Sequence, residues 1–241
     1  AYEIDPKLKE PIEKRYPNVK FHFENVLKSI PEKKYNVVIG NPPYLGQNYN
    51  SQIFQEYVSQ FPLCKKYFVG NMDLFYFFIH LGIEVLKPGG FLSYITTRYW
   101  ITKSEKTGIK HLKPHILNEC YLIEYIDLSQ LNLFQNAQGQ ENCIFVLQKK
   151  TEKEKLFNKK RAIDILQIDT NRNSNKISDL EYNKQVFSGL LEDETSRNFK
   201  RYTSATNNHD LEKNKSWNLL YPEEIKHIVD KIESYCMKHE N

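Results

Sequence analysis

The stretch YNVVIGNPPYLGQN, residues 35–48, decides how the chain is read. Val37, Val38 and Ile39 run without interruption into Gly40, the pattern of a strand buried on both faces of a parallel sheet. The run ends in Asn41, in Pro42 and Pro43, which carry no backbone N–H, and in Tyr44. Ligands of open α/β sheets sit beyond the carboxyl ends of the strands, so this amide and this ring stand where a ligand is held. Asn41 precedes a proline and is biased toward an extended backbone, which keeps the Pro42 carbonyl rigid. The Asn41 side-chain oxygen is a second acceptor nearby. By itself the tetrapeptide also suits a rigid turn after a strand.

Working outward, β-type and helical segments alternate. AYEI is a short strand, residues 6–17 a helix with an awkward internal Pro11, and residues 18–26 (NVKFHFENV) a strand that turns. Residues 73–90 (DLFYFFIHLGIEVLKPGG) form a helix that is apolar around most of its circumference, ended by Lys87, Pro88, Gly89 and Gly90. GFLSYITT is the next buried strand, residues 106–119 are amphipathic, and CYLIEYIDL and ENCIFVLQKK are further strands. Strands separated by helices predict an α/β, doubly wound, mostly parallel sheet. Residues 1–150 are read as this core. Residues 151–241 are read as a polar linker, rich in Asn, Lys and Ser, that leads to a last helix over residues 221–240 with Pro222 in its first turn.

Composition bounds the function. The chain has 241 residues, 40% apolar and 27% charged, with a formal net charge of +4 that is compatible with a nucleic-acid partner. No apolar run is long enough to cross a bilayer. The four cysteines, Cys64, Cys120, Cys143 and Cys236, form no C-x-x-C pair, which predicts neither zinc nor disulfides but reduced thiols and a cytoplasmic location. His111 and His115 lie four apart with no third ligand evident, so no metal is expected. Because AYEID already reads as a strand with nothing before it, the first part of a larger domain is expected upstream.

Two convergent acceptors and a ring suit a planar substrate that carries an amino group, such as a base extruded from a duplex. Holding both amino hydrogens draws the nitrogen lone pair out of conjugation and aims it at an electrophile. The methyl group of an S-adenosyl-L-methionine sulfonium would lie in line. No cysteine nucleophile is required, and positioning and electrostatics carry the catalysis.

At this point the sequence resembles the adenine-specific DNA methyltransferases of restriction–modification systems, including fused restriction–methylation enzymes. The resemblance spans about residues 1–150, and NPPY is that family's catalytic motif. It implies a sheet of the S-adenosylmethionine-dependent methyltransferase type, with Asn41, Pro42, Pro43 and Tyr44 as the catalytic loop. It implies cofactor contacts from Glu3, at the ribose hydroxyls, from Asn25, where the family usually has Asp, from Asn41 and from Phe78. It sets Phe134 opposite Tyr44 to sandwich the flipped adenine. Each has a plainer reading as well: a solvated strand end for Glu3, core packing for Phe78, a hydrophobic plug for Phe134.

The family's glycine-rich cofactor loop has no counterpart, so the sheet is expected to be incomplete at its N-terminus. A missing N-terminal segment or nuclease domain and a specificity domain are expected as partners, with double-stranded DNA and no membrane. Residues 45–71 are expected to form a mobile lid. Asn71 and Asp73 are read as helix caps. Arg98 is weighed as a phosphate contact and Tyr99 and Trp100 as lining of the base pocket. Methylation of protein glutamine or of RNA by the same motif stays open, as does a non-catalytic partner subunit. Cytosine-C5 methylation is disfavoured, because no cysteine follows a proline.

Overall fold

The computed structural model describes the chain apart from residues 29, 105–106, 135–139, 157–159, 169–177, 192–198, 212, 214 and 240–241. Its elements in order are β1 (Tyr2–Glu3), α1 (Lys9–Arg15), β2 (His22–Phe23), β3 (Tyr35–Gly40), α2 (Ser51–Gln60), α3 (Pro62–Tyr67), α4 (Phe75–Val85), β4 (Leu86–Thr97) and α5 (Tyr99–Thr102). They continue with α6 (Ile109–Glu119), β5 (Cys120–Asp127), β6 (Asn142–Lys149), α7 (Glu152–Leu156), β7 (Asp164–Ile168), α8 (Asp179–Leu191), β8 (Phe199–Thr203) and α9 (Lys226–His239).

β1 and β2 pair in parallel as a small sheet of their own. The main sheet has six strands in the order β3-β4-β6-β5-β7-β8. β3 runs parallel to β4 and β5 parallel to β7, whereas β6 is antiparallel to both β4 and β5 and β8 is antiparallel to β7. The alternating α/β reading therefore holds, but the main sheet is mixed rather than mostly parallel: three of its five pairings are antiparallel. Pro11 causes no break because it falls in the first turn of α1, where its missing N–H has no partner to lose.

The core lies between the sheet and α4. Phe75, Phe77, Ile79 and Ile83 of that helix are fully buried, against Leu92, Phe145 and Leu147 of β4 and β6. Burying side chains of this size contributes about 1.5–3 kcal/mol each. Gly82 lets α4 approach β4, since a Cβ there would stand 2.7 Å from a Leu92 methyl.

Four sequence expectations are corrected. β3 is not buried on both faces: Val37 and Ile39 are 58% and 77% exposed, because β3 is an edge strand and no described element covers that side. Residues 45–71 do not form a lid but mostly fold as α2 and α3, whose Phe54, Leu63, Cys64 and Tyr67 are buried in the core. Past Lys150 the chain is not simply polar linker, since β7 and β8 extend the sheet through buried Ile163, Ile165, Leu166 and Ile168. The expected loops over residues 169–177 and 192–198 lie outside the described residues. Trp100 does not line a base pocket; it is buried edge-on against Phe145 and Trp217.

The segment that carries Trp217 is fastened by Lys113, a fully buried residue of α6. Its ammonium donates to the carbonyls of Ile101 (2.7 Å), Lys103 (2.8 Å) and Lys215 (2.6 Å) and lies 4.8 Å over the Trp217 ring. Burial pushes this group down to about 7, while three carbonyls that can only accept favour the charged form. A second buried polar cluster joins α3, α4 and α6. His80 and His115 share an Nδ1···Nδ1 hydrogen bond of 2.8 Å, and Tyr67 stacks on the His80 ring. One imidazole must donate and the other accept, so the neutral pair has opposite tautomers.

Two outcomes follow for stability. Lys113→Met strands buried carbonyls and should lower unfolding stability by about 1–3 kcal/mol in urea titrations, with faster amide exchange at Trp217. The histidine pair makes stability depend on acid. Burial pushes His115 down to about 4 and His80 well below its ordinary value, with Lys66, Lys149 and His111 adding to this and Glu84 and Glu119 opposing it at His115. The unfolded chain therefore binds more protons below about pH 6.5, and stability present above that pH is lost as pH falls toward about 4. Denaturation midpoints over this window should fall, and fall less steeply in His80→Leu; equal slopes would remove the pair as the cause.

Candidate active site

Gly40, the last residue of β3, pairs with Tyr94 of β4, which places residues 41–44 just beyond the carboxyl end of β3 and alongside the last residues of β4. Pro42 is buried, Asn41 and Pro43 are exposed, and Tyr44 is half-buried. The single hydrogen of the Tyr44 hydroxyl lies between two acceptors, Asn41 Oδ1 at 2.8 Å and the Ile95 carbonyl at 2.9 Å. Shared between them, it ties the amide to the next strand. Burial raises the Tyr44 pKa, with smaller contributions from Cys143 and Asp73, so the hydroxyl stays protonated and remains a donor.

The Tyr44 ring meets Phe75 and Phe134 edge to face, with centroids 6.2 Å and 5.9 Å away at interplanar angles of 84° and 76°. The structure therefore brings Phe134, distant in sequence, to the loop that carries Asn41 and Tyr44. The two rings do not form the parallel sandwich expected for a base, and one must turn for a planar ligand to stack on both. Beside them lies a cavity of about 360 Å³, lined by Tyr44, Asp73, Thr97, Tyr99, Gln140 and Glu141. That is within the range of small-ligand sites, about 300–1,000 Å³. The buried Thr97 hydroxyl on its wall has no hydrogen-bond partner among the described residues and is available to an occupant.

Asp73 was expected only to cap α4, and it does more. A turn made by Gly70 and Asn71, both in the left-handed region (φ 84° and 46°), brings Met72 and Asp73 alongside residues 45–47. The Gln47 N–H donates to the Met72 carbonyl and the Leu74 N–H to the Leu45 carbonyl. Within this strip Asp73 Oδ1 accepts from the Leu45 N–H (3.0 Å) and the Phe75 N–H (3.4 Å), and Oδ2 from the Tyr99 hydroxyl (2.8 Å). Burial raises the Asp73 pKa against the pull of these donors. Sequence reasoning missed this role, as well as the lining by Thr97, Gln140 and Glu141. The cue it had was the Gly70–Asn71 pair just before an acid.

The other residues singled out in the sequence lie on separate elements. Glu3 closes β1 and its Oε1 accepts from the Asp5 N–H (2.9 Å). Asn25 follows β2 and its Oδ1 accepts from the Leu27 N–H (3.0 Å), starting a 3-10 turn that packs against α4. Phe78 is the one aromatic of α4 that is not fully buried. Arg98 is already engaged: its Nε donates to Glu141 (2.6 Å), and Asp127 lies 3.8 Å from its other end. A phosphate would have to compete with those carboxylates. Among the described residues no group of three or more potential ligands could hold a metal ion, and no helix is long and apolar enough to cross a membrane.

Known proteins resemble this chain in sequence and in fold. Residues 3–134 match the model of the Eco57I restriction-modification methylase family. The chain is 25% identical over 116 residues to the type II restriction enzyme and methyltransferase RM.Eco57I of Escherichia coli, covering 48% of this chain and 11% of that protein. It is 25% identical over 210 residues to the type II methyltransferase M.HincII of Haemophilus influenzae, covering 87% of this chain and 36% of that one. The chain thus spans about a third or less of the length of these relatives. In fold it is similar to a type I restriction-modification methyltransferase subunit from Streptococcus thermophilus, with a TM-score of 0.51 and 15% identity over 84% of this chain and 43% of that one. It is similar in the same way to a Listeria monocytogenes protein assigned to the class I S-adenosylmethionine-dependent methyltransferases, with a TM-score of 0.50 and 16% identity over 78% and 53%. With more than half of its residues matching the family model, and with the fold of the methyltransferases, this chain belongs to the Eco57I restriction-modification methylase family.

Proposed function

We propose that the chain is the catalytic part of a DNA methyltransferase that modifies the exocyclic amino nitrogen of adenine within a restriction–modification system. The observation that carries this reading is the Asn41 carbonyl, oriented by the Tyr44 hydroxyl at the rim of the sheet, beside a cavity flanked by aromatic rings. An amide oxygen has two lone pairs. One receives the Tyr44 hydrogen and the other is left for an amine. With the Pro42 carbonyl as second acceptor, both amine hydrogens are held and the nitrogen lone pair is freed for attack. A base that enters the cavity stacks on Tyr44, an interaction of about 1–3 kcal/mol that offsets part of the cost of leaving the duplex.

S-adenosyl-L-methionine supplies the electrophilic methyl group when bound. The donor set on these separate elements fits a nucleoside: the Glu3 carboxylate for a ribose diol, the Asn25 amide for the edge of a base, and the half-exposed Phe78 ring for its face. Asn41 would stand between this group and the base. DNA is the partner that the reading requires, and the cytoplasm is where such an enzyme works.

Transfer of tritiated methyl groups from S-adenosylmethionine to unmodified genomic DNA, with ribosomal RNA and a release-factor protein as parallel acceptors, tests this reading. Label in DNA is expected. Label confined to RNA or protein would reassign the site, and no label in any acceptor would make the chain a non-catalytic partner. Asn41→Ala should lower kcat by about 10²–10³-fold, the scale of removing one preorganised polar group from a transition state. Tyr44→Phe keeps the stack and loses only the orienting hydrogen bond, so kcat should drop about three- to tenfold. Tyr44→Ala should lose considerably more.

A further inference from the structure

Methyl transfer as described leaves one buried carboxylate without a part. Asp73 is 7% exposed, lines the cavity and makes no ion pair with a described residue. Each contact it makes links the site to a different element. Oδ1 accepts from Leu45, the residue after Tyr44, and from Phe75 in the first turn of α4, the most apolar helix of the core. Oδ2 accepts from Tyr99, just beyond the end of β4. The loop that carries Asn41 and Tyr44 is thus anchored from behind by one side chain.

Without Asp73, Leu45 would keep only its carbonyl bond to the Leu74 N–H, and the N–H beside Tyr44 would lose its acceptor. The Tyr44 ring would then be free to tilt, taking the Asn41 oxygen with it through their 2.8 Å bond. Burying a carboxylate carries a cost, and a structural cap on an exposed helix end would not require it. Charge makes the bonds to two N–H groups and a hydroxyl stronger than those of a neutral acceptor.

We propose that Asp73 is a positioning residue for methyl transfer: by clamping Leu45 to α4 and to Tyr99, it sets Tyr44 and the Asn41 acceptor against the reacting amine. The proposal rests on the methyltransferase reading above. It does not make Asp73 a catalytic residue, because the carboxylate acts through Leu45 and Tyr44.

The test compares Asp73→Ala and Asp73→Asn in the full protein. The amide of Asp73→Asn keeps an oxygen for Leu45 and Phe75, whereas Asp73→Ala keeps none. Asp73→Ala should lower kcat for DNA methylation about 10- to 100-fold, the effect of a small misplacement of reacting groups, with the affinity for S-adenosylmethionine unchanged. Asp73→Asn should restore kcat to within about threefold of the parent protein, since the Leu45 anchor is intact. An unaltered kcat in Asp73→Ala, or an equal loss in Asp73→Asn, would overturn the assignment. Amide exchange at Leu45 gives a readout that needs no activity: about tenfold faster in Asp73→Ala and unchanged in Asp73→Asn. Equal exchange in the parent and Asp73→Ala would remove the clamp. Should the parent protein label no acceptor at all, the functional reading fails, while the exchange measurement still decides whether Asp73 holds the loop.

Discussion

The bond between the Tyr44 hydroxyl and the Asn41 oxygen is the contact on which the rest of the site depends. An exposed asparagine at a sheet edge is ordinarily free to turn, and a freely turning amide offers an amine a donor as often as an acceptor. Tyr44 limits that freedom by sharing its one hydroxyl hydrogen between Oδ1 and the Ile95 carbonyl, which ties the pair to β4. Burial strengthens the arrangement by keeping the phenol protonated. The aromatic ring and the polar tip of one residue therefore serve two purposes: one offers a stacking surface and the other orients the acceptor.

The elements around this contact are arranged to keep it still. β3 and β4 run parallel, and β4 continues past the end of β3 to Thr97, so the loop after β3 meets the carbonyls of β4. Behind the loop, the left-handed turn at Gly70 and Asn71 returns the chain to residues 45–47. α4 supplies a nearly incompressible backing, being buried on almost every side. A site built on such a support has its geometry before any ligand arrives, and this is how positioning contributes to a rate.

Much of this was legible in the sequence, and the misses share a cause. The loop at residues 41–44, α4, β4, β5 and β6 were readable because long apolar runs and turn residues are local signals. Whether a run is covered is not local: Val37 and Ile39 are as apolar as core residues yet lie exposed on an edge strand. The helices α2 and α3 were read as a lid because their buried residues are sparse among polar ones, and Pro62 looks like a loop residue although it sits at a helix start. β7 and β8 are short and flanked by polar chain, and only their pairing with β5 and with each other makes them part of the sheet. The Arg98–Glu141 pair and the Asp73 contacts join residues distant in sequence, which neither periodicity nor spacing can reveal.

If the site grips an exocyclic amine as proposed, mass spectrometry of nucleosides from DNA incubated with the protein and S-adenosylmethionine will find N6-methyladenine as the product. Methylation at a ring carbon, such as 5-methylcytosine, would contradict it, because two carbonyl acceptors and a stacking ring give no nucleophile to activate carbon.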